Sequence, residues 1–361
     1  MYMRNLANVI QKLIDKNTFP QKDAAEIMEH ILSGKCSDAE LGAFLIAMRL
    51  KGEDLTELLG FAQAARRHAV KIKAPAAGLI DTCGTGGDLQ DTFNISTLAA
   101  FVAAAAGARV AKQVYADPDC GCSSRQVLAK LGVNIELAPE KILKLLAKTG
   151  LTFLYLPLFQ PCLAQLTRVS KQIGVLNLLN TLFPLINPLR LSGQSLGVFN
   201  EPMTTLLAGV LRAQGIKRAF VFHGVEGLDE ISITASTRIS ELRNGLISTY
   251  IFTPERFGLQ SASVSTLHCD SAADSAQICR VILTGREDSP RADVVALNAA
   301  AALVCAGLTK DLESGFQKAK EVLHKGLAYK KLEEVAATAQ SLTKKQKKVA
   351  RLLKNKRKSR R

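Results

Sequence analysis

Gly84-Thr85-Gly86-Gly87-Asp88, followed after three residues by Thr92-Phe93-Asn94-Ile95-Ser96-Thr97, decides the reading of this chain. Leu79-Ile80 ahead of it reads as the end of a short strand. The Ala-rich run Leu98 to Ala106 behind it reads as a buried helix. Three glycines in four positions let backbone N–H groups approach a ligand with no Cβ in the way. Asn94, Ser96 and Thr97 are good helix N-cap residues. Strand, glycine loop and helix N-terminus together form an anion cradle in which a polyphosphate is held without steric conflict. The order of residues differs from both the lysine loop of nucleotide hydrolases and the dinucleotide GxGxxG. A glycine-rich turn alone is also just a tight turn; TFNIST at this spacing makes the pattern specific.

Outward from the loop, the two sides differ. On the N-terminal side, Leu6, Val9, Ile10, Leu13 and Ile14 have helical spacing, and Ile27, Met28, Ile31 and Leu32 form a second apolar stripe. Ser37 with Glu40 is a capping box opening a third helix, and Asp54 with Glu57 opens a fourth through Arg67. Pro75-Ala76-Ala77-Gly78 marks the boundary. Beyond it, short apolar strands alternate with helices. The expected strands are Leu79 to Thr82, Arg109 to Lys112, Leu151 to Tyr155, Ser195 to Val198 and Arg218 to Phe222, with Ile247 to Phe252 as a later edge strand. The expected helices are Glu140 to Thr149, Thr204 to Gln214, Ala292 to Ala306, Asp311 to Leu323 and Lys325 to Ala336. The fold class is α/β: a small all-helical N-terminal domain (1–74) and a large α/β domain (75–340) with a central sheet flanked by helices.

The 361 residues are 47% hydrophobic, enough for a full core. No apolar run approaches the ~18 residues of a membrane span, and the first residues lack the apolar core of a signal peptide. Eight cysteines, single apart from Cys120-Gly121-Cys122, are expected to be reduced thiols in a cytoplasmic protein. Cys120 and Cys122 lack a second pair at zinc spacing, so their proximity reads as chance. Of the formal net charge of +15, eleven positive charges fall between Lys344 and Arg361, with no acid after Glu334. The stretch 343–361 reads as a basic, solvated, disordered tail. A basic helix around Val349, Leu352 and Leu353 is the other reading, and such a cluster attracts nucleic acid or an anionic surface.

The glycine loop is accompanied by Ser37-Asp38-Ala39-Glu40 leading into Leu41 to Glu53, by Gly227-Leu228-Asp229-Glu230-Ile231-Ser232, by Arg291-Ala292-Asp293 and by Asn298 to Val304. In these stretches the chain resembles the anthranilate phosphoribosyltransferase family of tryptophan biosynthesis, from about Asn5 to about Ala336. The resemblance implies a fold like that of nucleoside phosphorylases, with part of 165–185 joining the helical domain, and a homodimer formed through those helices. It implies phosphoribosyl pyrophosphate bound at Gly84, Gly87, Asp88, Thr92, Asn94, Ile95, Ser96 and Thr97, and Lys112 meeting substrate phosphate. Asp229 and Glu230, as an isolated pair, would be a solvated turn. Inside GLDEIS, and beside the cradle, two adjacent acids ask for an oxygen-loving cation. With Ser96 they are the expected Mg²⁺ ligands.

The chain also departs from that family. Where the family continues its lysine with His-Gly-Asn and a serine-rich loop, this chain has Gln113-Val114-Tyr115-Ala116-Asp117-Pro118-Asp119-Cys120. Asp117 and Asp119 place negative charge where phosphate is expected; Ser123 and Ser124 compensate in part. Tyr115, Cys120 and Ser124 still fall at substrate-contact positions. On the acceptor side, Gln160 replaces a histidine, Phe183 a glycine, and Ser170 the arginine that meets the anthranilate carboxylate. Arg168 lies about 200° away around a helix, and Lys171 lacks the bidentate fork. Losing such a contact costs ~1.5–3 kcal/mol. His223 reads as structural, and His268-Cys269-Asp270 are consecutive and so do not converge on one ion. The expected activity is phosphoribosyl transfer to anthranilate. A diverged paralogue that binds nucleic acid, and a transferase for another aromatic acceptor, are the alternatives.

Overall fold

The structure, a computed structural model, describes residues 5–72, 78–87, 91–115 and 122–358, with 345–358 as backbone alone. Four helices open it: α1 Leu6–Ile14, α2 Gln21–Leu32, α3 Asp38–Lys51 and α4 Leu55–His68. Both expected capping boxes form. Glu57 does more than cap. It is fully buried, and its carboxylate accepts from Lys51 Nζ at 2.8 Å, Asp54 N at 3.1 Å and Phe19 N at 3.1 Å. Gly60 lets α4 lie directly on α2, since a Cβ there would stand 2.3 Å from the Gln21 carbonyl oxygen.

The α/β part carries one seven-stranded sheet: β1 Leu79–Asp81, β2 Arg109–Val114, β3 Leu151–Tyr155, β4 Gly193–Gly197, β5 Arg218–Gly224, β6 Thr237–Arg243 and β7 Leu246–Phe252. Its order is β3-β2-β1-β4-β5-β6-β7. β1 to β5 are parallel, with Ile80 opposite both Val110 and Gly193, and β5, β6 and β7 are antiparallel. Asn244 and Gly245, both in the left-handed region, make the tight β6–β7 turn. β7 is the expected edge; β6 is a strand the sequence reading lacked.

Helices α5 Ile95–Ala105, α6 Ser124–Lys130, α7 Pro139–Thr149, α8 Leu156–Phe159, α9 Ala164–Ile173 and α10 Leu178–Leu182 lie between β1 and β4 in the chain. After them come α11 Met203–Ala213, α12 Ala272–Leu283, α13 Pro290–Cys305, α14 Leu312–His324 and α15 Leu327–Lys358. The Ala-rich α5 and α13 pack on each other and against the sheet, buried almost throughout. α9 packs on α3, and the Arg168 guanidinium pairs with both Asp38 carboxylate oxygens at 2.7 and 2.8 Å. α15 runs on through the basic stretch from 343 as far as Lys358, where Lys, Arg, Gln, Leu and Ala without Gly or Pro favour helix.

The sheet order fixes where a ligand goes. From β1 the chain builds outward through β2 and β3, then crosses back to add β4 on the other side of β1. Connections leaving β1 and β4 therefore diverge, opening a crevice at the carboxyl ends of these two strands. The glycine loop leaves β1 at that point.

Candidate active site

The loop after β1 is tied to the end of β4. Thr85 N donates to the Gly197 carbonyl at 2.9 Å, and Phe199 N to Thr85 Oγ1 at 3.0 Å. Gly86 and Gly87 both adopt positive φ, 64° and 84°, which an L side chain resists. Gly84 is needed for a different reason. A Cβ there would lie 2.5 Å from Asp229 Oδ2, so the missing side chain is what admits the carboxylate. Gly86 N donates to that same oxygen at 2.9 Å.

Asp229 and Glu230 reach the loop from the turn after β5. Asn298, buried on α13, anchors that turn by accepting from Ile231 N at 2.9 Å and donating to its carbonyl at 3.0 Å. Glu230 Oε1 accepts from Ser96 N at 3.1 Å, at the positive end of α5. Lys112, at the far side of the loop, is buried. Its ammonium donates to the Thr82 carbonyl at 2.7 Å and to Ser96 Oγ at 3.1 Å. The sequence presents Lys112 as a strand-end lysine; the fold makes it the interior cation of the site. Burial raises the Asp229 carboxyl above the ordinary carboxylate range, against the Gly86 N–H and the Lys112 charge. Asp81, wholly buried at the end of β1, is raised by the same cause, with Lys112 and Asn187 opposing.

These groups line a cavity of about 210 Å³. Gly84, Gly87, Thr92, Asn94, Ile95, Ser96, Lys112, Tyr115, Ser124, Asp229 and Glu230 all border it. Thr97 does not; it lies buried beneath, its hydroxyl 3.5 Å from Ser124 Oγ. Asn94 occupies the N-cap position of α5 without capping it. Its amide instead donates to Ser124 Oγ at 3.1 Å, and its oxygen accepts from Ser275 Oγ at 3.0 Å, so the side chain joins α6 and α12 to the cradle. Asp88, Asp117, Asp119 and Cys120 lie outside the described residues.

A second cavity, of about 430 Å³, adjoins the first through Tyr115, which borders both. Tyr155, Leu156, Pro157 and Phe183 make it largely apolar. The Tyr115 and Phe183 rings stack with centroids 4.9 Å apart, and the Tyr115 hydroxyl donates to the Gly84 carbonyl at 3.1 Å. Burial raises that phenol well above its usual range. Gln113 sends its amide to Asp81, at 3.3 Å, and to the Phe183 carbonyl, at 3.1 Å. Ser170 is not on the wall of this cavity: its hydroxyl accepts from Asn177 Nδ2 at 2.7 Å, while Thr167, Arg168 and Lys171 of the same helix face the space. Arg168 is engaged by Asp38, whereas Lys171 has no ion pair or hydrogen bond among the described residues. Gln160 is buried at the wall and donates to the Ile186 carbonyl at 3.2 Å. His223 donates its Nδ1–H to the Val198 carbonyl at 2.7 Å.

Residues 7–69 match the helical bundle domain of the glycosyl transferase family, and residues 76–329 match its a/b domain. Curated relatives include the anthranilate phosphoribosyltransferase of Desulfosudis oleivorans, 41% identical across 91% of this chain and 97% of its own. That of Acetivibrio thermocellus is 42% identical across 91% and 95%. The chain belongs to the anthranilate phosphoribosyltransferase family. Among solved members, the enzyme from Thermus thermophilus superposes with a TM-score of 0.86 at 33% identity, covering 94% of this chain and all of that one. The Saccharomyces cerevisiae member, solved in complex with PRPP and Mg, is 24% identical with a TM-score of 0.83 over 94% and 99% of the two chains, a likeness of fold. The glycine loop, Lys112 and the Asp229–Glu230 pair are thus set within a family fold.

Proposed function

We propose that the protein transfers the phosphoribosyl group of phosphoribosyl pyrophosphate to anthranilate, giving N-(5-phosphoribosyl)anthranilate and pyrophosphate in tryptophan biosynthesis. The observation that carries this is the convergence of two carboxylates, Asp229 on the glycine loop and Glu230 on the N-terminus of α5, at the switch point of the sheet and beside a second, aromatic-walled cavity. The donor occupies the cavity bordered by Gly84 to Gly87, where backbone N–H groups and the α5 N-terminus favour negative charge. The acceptor ring takes the second cavity, its carboxylate towards Lys171. The amine attacks the anomeric carbon; a C–N bond forms as the C–O bond to pyrophosphate breaks, the bonding pair leaves on pyrophosphate, and the surplus proton on nitrogen passes to the departing pyrophosphate or to water. The residues contribute positioning and charge stabilisation.

Asp229, Glu230 and Ser96 offer only hard oxygen donors, which suits Mg²⁺, an ion that keeps several waters and shares substrate phosphate. Among the described residues no three His, Cys, Asp or Glu gather around one point, consistent with so sparse a set. Bound there, Mg²⁺ would neutralise the leaving pyrophosphate. Ser96 Oγ already accepts from Lys112, so its hydroxyl would serve both cations.

The test is product formation from anthranilate and phosphoribosyl pyrophosphate, with and without chelator. Turnover should require Mg²⁺, and Lys171→Met should raise the KM for anthranilate about tenfold through loss of a charge-assisted contact. The Tyr115–Phe183 stack also favours a second reading, transfer to another aromatic amine. Turnover of such amines but not of anthranilate would select it, and no turnover of either would overturn the transferase reading.

A homodimer through the helical domain is part of the proposal. Ile14 and Leu50, exposed on α1 and α3 at 61% and 78%, are apolar side chains that such an interface would cover. Leu50→Glu should halve the sedimenting mass; a wild type that already sediments as a monomer refutes the dimer.

None of the described helices is long and apolar enough to cross a membrane. All seven described cysteines are free.

A further inference from the structure

Two of those free thiols meet at the wall of the donor cavity. Cys122, just ahead of α6, and Cys269, 147 positions later in the chain, bring their sulfurs to 2.9 Å. Cys122 borders the cavity; Cys269 lies behind it, 2% exposed. Cys269 also belongs to a short ladder with the donor loop. Its N–H donates to the Asp91 carbonyl at 2.9 Å, Thr92 bridges His268, and Phe93 N donates to the Leu267 carbonyl at 3.1 Å. On the other side, Cys122 is followed by Ser123 and by Ser124, which accepts from Asn94. The thiol pair therefore joins two walls of the cavity that otherwise meet through hydrogen bonds.

We propose that Cys122 and Cys269 form an oxidative modification site, a dithiol that a peroxide converts to an intramolecular disulfide. Cys122 reacts first, because it faces the cavity by which a small oxidant enters. Its thiolate attacks a peroxide oxygen, the O–O bond breaks, and the released hydroxide takes a proton to become water, leaving a sulfenic acid on Cys122. The Cys269 sulfur then attacks Cys122 sulfur; the S–S bond forms, the S–O bond breaks, and a second water departs with the Cys269 proton. The two sulfurs together lose two electrons and hydrogen peroxide gains them. Burial and the neighbouring thiol hold the Cys269 thiol above its ordinary range, which suits the resolving rather than the attacking role. The sulfurs need close only from 2.9 Å to about 2 Å.

The experiment treats full-length protein with hydrogen peroxide and maps disulfides by mass spectrometry without reduction. Trypsin leaves Cys120 with Cys122, and Cys279 with Cys269, so the map is made on a Cys120→Ser, Cys279→Ser variant. The expected result is one crosslink between the two peptides, reversed by dithiothreitol and lost in Cys122→Ser and in Cys269→Ser. In Cys269→Ser, dimedone should label Cys122; in Cys122→Ser it should leave Cys269 unlabelled. Absence of the crosslink overturns the site. Dimedone labelling confined to Cys269 overturns the order of attack. Pairing is read by mass alone, so neither outcome depends on donor binding or on turnover.

Discussion

Gly197→Ala should lower product formation about a hundredfold, the loss expected when reacting groups shift by about 1 Å. Gly197 ends β4, and a Cβ there would stand 1.5 Å from the Asp229 carbonyl oxygen and 2.5 Å from its carbon. Both atoms are backbone, so no rotamer relieves the overlap. The turn carrying Asp229 and Glu230 must move, and with it the bonds from Gly86 N and Ser96 N that seat the two carboxylates. Overpacking of this kind also costs about 1–3 kcal/mol of stability. Gly42→Ala is the matched control. Its Cβ would meet only Val169 Cγ1, at 3.8 Å, and in mid-helix it should be neutral or stabilising. Turnover and melting temperature report both variants, and wild-type behaviour of Gly197→Ala would refute the steric account.

Lys112→Met should be the most destabilising single change in the site, and its effect should grow with pH. Lys112 is 2% exposed, and its ammonium is the charge that opposes the raised carboxyls of Asp81 and Asp229. Removing one partner of a buried charge set costs about 3–5 kcal/mol. For an acid whose folded pKa is raised, the stabilising contribution is full below its unfolded value, near about 4, and is lost as pH rises through the folded pKa. Taking Lys112 away raises the folded values further, so ionisation of the two acids costs more. Urea unfolding of wild type and variant should therefore give a gap that is smaller at pH 4.5 than at pH 8. A gap independent of pH would mean that packing of the lysine stem, not its charge, sets the loss.

Much of the architecture is written locally. β3 spans Leu151–Tyr155, the bounds expected of it, and the capping boxes at Ser37 and Asp54 set the starts of α3 and α4. β6 escaped because its apolar residues, Ile239 and Leu242, are three apart, and no period of two appears among Thr237, Arg238, Glu241 and Arg243. Pairing with β5 along its whole length makes it a strand. Asn244-Gly245 was the signal that would have found it, since that dipeptide fits a two-residue hairpin turn. In the site, the glycine loop and the acid pair were legible because glycine and carboxylate chemistry show in one short stretch each. The burial of Lys112, the anchoring of the acid turn by Asn298 and the meeting of Cys122 with Cys269 join residues 16 to 147 positions apart. Ser170, expected at the acceptor side from the resemblance, lies off the wall of the second cavity, and the contact with Asn177 that holds its hydroxyl joins residues that nothing in the sequence pairs.

The aromatic wall between the two cavities has an evolutionary consequence. Gln113 gives its amide to the Phe183 carbonyl, the Phe183 ring lies on Tyr115, and Tyr115 gives its hydroxyl to the glycine loop. Each residue satisfies its neighbour. Exchanging Tyr115 alone removes the stacking partner of Phe183 and the donor to Gly84, and exchanging Gln113 alone strips both Asp81 and the Phe183 carbonyl of a partner. Residues in contact do not act additively. Positions 113, 115 and 183 are therefore expected to be bound by epistasis: whether a change at one is tolerated should depend on what stands at the other two.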